Sequence, residues 1–357
     1  MILMDNKTKI LSLIVPSYNM ERYLNRCLDS LIVDDEQTMD ALDVIVVNDG
    51  SKDKTSEIAH GYADKYPDTF RVIDKENGNY GSCINAGLKV ARGKYVRPLD
   101  ADDYVVKDHL SDILKKFGEV DVDAFITDFT EVSDTCETLR ERNFSLLPAN
   151  QVFGVEECLC HYELPMHSLT YRTEMLRRIG YRQTEGIFYS DQEWNFLPFQ
   201  AVSSLFYYPQ RLYQYVMGRN GQSVDPAVEQ KHMDSNTTVF LRMLQCMCGV
   251  EKGSVTYKYM YHYLQRLSLH IYYAVLLADP YSSTNDKLLR DTDQQLKSLS
   301  PELYDFLDED VISFSIRLIQ RWRRGKATNI KLLKRTIPLY NLVLRWRHSL
   351  NGIWPKG

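Results

Sequence analysis

Short apolar runs alternate with helical spacings through the first hundred residues. Leu11-Ser12-Leu13-Ile14-Val15 is a strand-length run stopped by Pro16, and Tyr23, Leu24, Cys27, Leu28 and Leu31 then recur at helical spacing. Val44 to Val47 is a second buried strand, closed by Asn48-Asp49-Gly50-Ser51. A helix with Ile58, Ala59, Tyr62 and Ala63 on one face follows it. Phe70 to Ile73 is a third strand. Gly78 to Ser82 opens a helix through Ile84, Ala86, Leu88 and Val90, and Tyr95 to Leu99 is the fourth strand. Such β-α repetition predicts a largely parallel sheet with right-handed crossovers. The polar loops Ser17-Tyr18-Asn19, Asn48 to Ser51, Gly78 to Ser82 and Asp100 to Asp103 then share one sheet edge, where open α/β sheets bind ligands.

Regularity fades afterwards. From about Ala124 to Tyr215 strands and helices mix, and residues 129–150 are polar with no clear element. From Pro226 onward the pattern is helical almost throughout. Its tyrosines (Tyr257, Tyr259, Tyr261, Tyr263, Tyr272, Tyr273) suit helix packing better than sugar stacking. The expected organisation is a domain over 1–225 and a mainly helical region over 226–357.

Three carboxylates in Asp100-Ala101-Asp102-Asp103 repel one another and call for a cation. Hard oxygen ligands select Mn²⁺ or Mg²⁺, which bind through one or two carboxylates and substrate phosphates. The alternative is a polar turn capping the next helix.

Composition sets outer limits. The chain has 357 residues, 44% hydrophobic and 25% charged, enough for two globular domains. No run of eighteen apolar residues suggests a membrane span, and the first residues lack the apolar core of a signal peptide. Seven cysteines without a disulfide framework favour a cytoplasmic location. The pairs Cys158/Cys160 and Cys246/Cys248 fall in helical patterns, where residues two apart do not face each other, so they read as idle thiols rather than zinc ligands.

The formal charge of −5 hides an asymmetry. No acidic residue follows Asp310, while the last 47 residues carry eleven Lys or Arg, leaving about −16 on residues 1–310. The tail interleaves those charges with Trp322, Trp346, Trp354 and aliphatic residues. That fits a helix lying on an anionic membrane at the inner face, or a helix packed on the body with a basic outer side. No recognition motif accompanies the charge, which argues against nucleic acid. Nothing in the pattern specifies an oligomeric state.

Five segments together carry a family resemblance. They are Val15-Pro16-Ser17-Tyr18-Asn19, Val46-Val47-Asn48-Asp49-Gly50-Ser51, Asn85-Ala86-Gly87-Leu88, Gly93-Lys94-Tyr95-Val96 and Leu99-Asp100-Ala101-Asp102-Asp103. In order, spacing and strand context they closely resemble the family 2 glycosyltransferases of the GT-A fold, over about residues 10–225. The resemblance implies a GT-A-like sheet flanked by helices and a nucleotide-sugar donor, most simply a UDP-sugar. It places Pro16, Tyr18, Asp49, Gly78, Asn79, Asp100 and Ala101 at the donor, with Tyr18 stacking on the base and Asp49 accepting from uracil N3–H. It assigns the metal to Asp102 with Asp100 nearby, and implies a glycan or lipid-linked acceptor, as in bacterial surface polysaccharide assembly.

An acceptor hydroxyl needs a general base, while a diphosphate leaving group held by a cation needs no proton donor. One carboxylate therefore suffices, and in-line attack inverts the anomeric centre. In Phe188-Tyr189-Ser190-Asp191-Gln192-Glu193, Asp191 resembles the family's base at a helix start, although Ser190 stands where the family has Glu. Glu193 is the alternative, and a plain helix cap is the bland reading. Arg219, between Gly218 and Gly221, suits a loop closing over a diphosphate. His167 reaches the metal or acceptor, or is a structural histidine. Two rivals come from other classes. A dinucleotide oxidoreductase lacks its G-x-G-x-x-G after the first strand. A non-catalytic nucleotide-sugar-binding or scaffold protein would keep Tyr18 and Asp49 without the acidic groups.

Overall fold

The computed structural model describes residues 9–160, 164–218, 228, 231–278, 283–309 and 314–325. The chain divides into two compact units, 1–264 and 265–357, so the first runs past the boundary expected at residue 225.

The first unit is built on a ten-stranded sheet. β1 (Leu11–Ser17), β2 (Leu42–Asn48), β3 (Phe70–Asp74) and β4 (Tyr95–Pro98) form its parallel half. Between them run α1 (Leu24–Asp29), α2 (Glu36–Ala41), α3 (Thr55–Lys65) and α4 (Asn79–Val90). β1, β2 and β4 are buried almost throughout because helices cover the sheet, while β3 at its edge buries only Phe70. Their spatial order is β3-β2-β1-β4. Strand order therefore reverses at β1, and the loops after β1 and β4 part there to leave a crevice at the carboxyl edge.

β5 (Tyr104–Val105) and α5 (Lys107–Glu119) lead into a mixed second half. It comprises β6 (Ala124–Ser133), β7 (Thr138–Arg142), β8 (Val152–Phe153), β9 (Leu169–Arg172), α6 (Thr173–Arg178), α7 (Gln192–Phe196) and β10 (Leu205–Met217). β9 enters antiparallel between β4 and β6, while β10 runs parallel to β6 with bulges around Arg211. The stretch 129–150, expected to be without structure, contains the end of β6 and all of β7. β7 escapes sequence detection because it is solvated: Thr138 to Arg140 are exposed and its charges pair across strands, as in Arg142–Glu131. α8 (Met233–Cys248) and α9 (Val255–Ala278) follow, the latter carrying the unit boundary. All seven cysteines are free.

At the amino edge of the sheet, buried Asp43 binds Ser12 Oγ at 2.7 Å, Arg71 Nη2 at 2.7 Å and the Arg92 amide at 2.9 Å. These contacts hold its carboxyl below its ordinary range against the opposing effect of burial.

In the second unit, α10 (Ser283–Leu299), α11 (Pro301–Phe306) and α12 (Phe314–Arg323) bury Leu289, Leu296, Leu303, Ile316 and Ile319. Arg323 pairs with Asp293 at 2.7 Å, and Trp322 Nε1 donates to Asp286 at 2.8 Å. The start of the basic tail is thus packed into its unit, with Arg317 and Arg321 outward. Residues 326–357, with the other seven basic side chains, lie outside the described residues. No helix among the described residues is long and apolar enough to cross a membrane.

Candidate active site

The loops after β1 and β2 are laced together. Asp49 N donates to Ser17 O at 2.8 Å, Met20 N to Thr55 Oγ1 at 2.7 Å and Lys52 N to Asn19 Oδ1 at 2.8 Å. Gly50 sits at φ +73, where a Cβ would lie 3.1 Å from Asn77 N. Tyr18 stands 47% exposed at the rim, while Asp49 is buried behind it. Asp49 Oδ1 accepts from Lys75 Nζ at 2.6 Å and Gly78 N at 3.0 Å. Pro16 pairs with Val47 in the β1–β2 register, so it shapes the strand end.

The Asp100–Asp103 turn is anchored from β10. Asp103 Oδ2 accepts from Tyr213 Oη at 2.7 Å and Oδ1 from Val216 N at 2.8 Å, while Asp100 N donates to Tyr213 Oη at 3.0 Å. Burial and the neighbouring Asp100 push Asp103 well above the ordinary carboxylate range. Asp100, Asp103 and His167 bring one ligand atom each within 4.8 Å of one another. His167 stacks on Tyr215 at 4.1 Å, and burial, with Arg97 and Arg142 nearby, pushes it down to about 3, so its imidazole is neutral. Asp102, paired with Asp100 as a cation ligand from the sequence, is not among these three. It is half-buried on the same turn, with its carbonyl accepting from Arg26 Nη2 at 2.9 Å, and Ala101 between the two is buried.

A second layer docks on α4. Gly186 N donates to Gly78 O at 2.9 Å, and Asn85 exchanges two hydrogen bonds with the Gln183 backbone, at 2.9 and 2.8 Å. Gly81 makes the approach possible, since a Cβ there would lie 2.1 Å from Thr184 O. This docking brings Asp191, at the start of α7, to the same edge. Burial pushes its carboxyl up to about 6, partly offset by the Asp191 and Gln192 amides. The hydroxyls of Tyr80 and Tyr215 feel both Asp100 and Asp191, so the two carboxylates border one space.

Residues 12–178 match the family model described as glycosyl transferase family 2. They form a family 2 glycosyl transferase domain. EpsJ of Bacillus subtilis (strain 168), an uncharacterized glycosyltransferase, is 45% identical over 96 residues, which cover 27% of this chain and 27% of EpsJ. EpsH of the same organism is 38% identical over 134 residues, covering 37% of this chain and 38% of EpsH. The chain thus spans about a third of the length of the curated relatives it matches. The structure of S. aureus TarS 1-349 in complex with UDP-GlcNAc aligns with a TM-score of 0.68 over 90% of this chain and 93% of that one. At 17% identity that likeness is one of fold: a mixed sheet flanked by helices with a helical C-terminal region.

Within the family 2 domain, Pro16, Tyr18, Asp49, Gly78, Asn79, Asp100, Ala101 and Asp102 all stand at the carboxyl edge of β1, β2 and β4 or at the start of α4. Arg219 lies outside the described residues. Glu193, the alternative base, is instead fully buried. Its carboxylate accepts from Arg242 Nη1 at 2.6 Å, Thr184 N at 2.7 Å and Thr184 Oγ1 at 2.6 Å. Four residues escaped the sequence reading. Lys75 follows β3 at the same edge and could have been found by its position. Arg97 and Tyr213 read as ordinary strand residues, and Arg242 carries no local signal in its helix.

Proposed function

We propose that this protein transfers a sugar, with inversion, from a UDP-sugar to a hydroxyl of a glycan or lipid-linked acceptor. The observation that carries this is the meeting of Asp49, the Asp100–Asp103 turn and Asp191 at one edge of a family 2 domain. The UDP-GlcNAc bound by the fold neighbour supports the donor class.

The residues fit a divalent cation. Asp100 and the neutral imidazole of His167 offer ligand atoms in one place, Asp102 lies on the same turn, and carboxylate oxygens suit Mn²⁺ or Mg²⁺. Asp103 spends both oxygens on β10, so Asp100 and Asp102 would hold the ion, with His167 beside them. When bound, Mn²⁺ or Mg²⁺ supplies charge neutralisation for the departing diphosphate.

The chain's own groups supply the rest. Tyr18 stacks on the uracil ring. Asp49 Oδ1 is held by Lys75 and Gly78, which leaves Oδ2 to accept from N3–H. Asp191 takes the acceptor proton. A carboxyl near 6 is ionised at neutral pH and is a stronger base than an ordinary one. The single base on the face opposite the diphosphate gives inversion. The seven basic residues beyond Gly325 bring the enzyme to an anionic membrane surface from the cytoplasmic side.

The test is UDP release from a panel of UDP-sugars, with a parallel thermal-shift screen. A donor at 100 times its Kd adds about 2.7 kcal/mol of stability. Asp102→Asn should lower turnover at least about 100-fold and abolish its Mn²⁺ dependence. No stabilisation by any UDP-sugar, or near-normal turnover in EDTA, would overturn the reading.

A further inference from the structure

We propose that Arg242 is a positioning residue for the base: through a buried ion pair with Glu193 it fixes the helix turn that presents Asp191 and cancels the charge beside it. The proposal rests on the assignment of Asp191 as the base. It adds a control element from α8, beyond the 12–178 segment that matches the family.

The geometry forms one continuous clasp. Arg242 Nη1 contacts Glu193 Oε2 at 2.6 Å and Thr184 Oγ1 at 2.7 Å, and Nη2 donates to Arg182 O. Thr184 closes the set through its amide and hydroxyl on Glu193. The same loop is tied to α4 by the Asn85–Gln183 pair and by Gly186 N on Gly78 O. The first turn of α7 is therefore held between the donor-side loop and α8. Gln192 adds a second bridge to α8 through Asn236 at 3.3 Å. A side chain two residues from Glu193 inherits that fixed orientation.

Electrostatics points the same way. The titratable groups facing Asp191 are Tyr80 from α4, Tyr181 from the loop after α6, Tyr215 from β10 and Glu193 from its own helix. Burial keeps the three tyrosines protonated far above neutral pH, so Glu193 is the charged member of the set. Its negative charge favours the protonated form of Asp191. The Arg242 guanidinium opposes that influence from 2.6 Å. Removing the cation leaves Glu193 buried and uncompensated, and removing the anion leaves Arg242 with one side toward solvent.

The experiment is the pH–rate profile of UDP release by the full-length protein in which water stands in for the acceptor hydroxyl and gives its proton to Asp191, on a UDP-sugar that the wild type hydrolyses. Arg242→Met should move the acidic limb toward alkaline pH by roughly one unit, and Glu193→Gln should move it toward acid. The double variant should return to within about 0.3 unit of wild type, and Arg242→Lys should retain the native limb. Donor KM should stay within about twofold throughout, because these side chains do not touch the donor. Glu193→Gln and Arg242→Lys preserve shape, so they carry the test if Arg242→Met does not fold. Lower kcat without any shift of the limb, in these variants and in the double, would overturn the proposal in favour of a purely structural clasp. Asp191→Asn separates the two assignments. Retained turnover there refutes the base itself, whereas abolished turnover with a fixed limb in the other variants refutes only the role of Arg242.

Discussion

Asp191→Asn should cost activity and add stability, and both effects follow from one half-buried carboxyl. The folded chain pushes Asp191 up to about 6 from an ordinary value of 3.8. Between those values the folded state holds a proton that the unfolded state has released. Stability therefore falls as pH rises through this window, and above about pH 6 the loss is complete. The difference is about 2 pKa units, each worth 1.36 kcal/mol, so the ionised side chain opposes folding by up to about 3 kcal/mol at pH 7.5. Asparagine keeps the shape and an acceptor oxygen for the Asp191 and Gln192 amides but carries no charge. In metal- and nucleotide-free buffer, urea unfolding should show the variant more stable at pH 7.5, by at most about 3 kcal/mol. The gain should shrink through pH 5 and vanish near pH 4, where the wild-type carboxyl is protonated in both states. UDP release should fall by at least about 100-fold, with donor affinity unchanged. A variant no more stable than wild type at pH 7.5, or a gain independent of pH, would refute the reasoning. Asp191 would then be an ordinary solvated cap.

Three further perturbations test the scaffold. Gly81→Ala places a methyl 2.1 Å from the Thr184 carbonyl, so the 182–190 loop must leave α4. UDP release should fall at least about tenfold with an unchanged far-UV spectrum, and normal turnover would show that the docking is dispensable. Asp43→Asn removes the charge that Arg71 and Arg92 surround and should destabilise the protein by roughly 3 kcal/mol at pH 7 in urea unfolding. Asp43 has a lowered folded-state pKa, so its contribution is present above about pH 4, the unfolded value, and is lost as pH falls through the lower folded value; the variant's deficit should narrow in acid. Truncation after Gly325 should release the protein from anionic vesicles while sparing UDP release. The cut belongs there rather than after Asp310, because Ile316, Ile319 and Arg323 are built into the second unit. Equal sedimentation of the two forms with anionic vesicles would refute the membrane role of the tail.

The first half of the fold was legible because β1, β2 and β4 are buried almost throughout and therefore read as largely apolar runs ending in polar loops. β6 was harder. Its interior holds Thr127, Asp128 and Thr130, all buried, and these polar side chains break the apolar signature. Asp128 stays inside because Tyr207 donates to it at 2.9 Å, a partner seventy-nine residues away. Glu193 shows the same limit within the site. Its spacing from Asp191 made it a reasonable second base, and only the fold brings up Arg242, 49 residues away, and Thr184 to commit its oxygens elsewhere. Local pattern reports which residues are chemically able to act, whereas long-range partners decide which remain available.

Five described non-glycine residues have positive φ, and three of them, Asn19, Asn79 and Tyr189, belong to site loops. Asparagine tolerates the left-handed region, so Asn19 and Asn79 read naturally as turn residues after β1 and at the start of α4. Tyrosine does not, and Tyr189 at φ +62 is strained by about 1 kcal/mol or more. Such strain persists only where surrounding contacts over-determine the chain. Here Ser190 is buried beside it, its Oγ reaching Gln183 at 3.4 Å, and the Glu193–Arg242 clasp closes from the other side. The bend at Tyr189 turns the chain into α7, at whose start Asp191 stands. Relaxing Tyr189 would change the path of the chain into α7, so the contacts that stabilise the clasp also maintain the strain in the segment that carries Asp191, the proposed base.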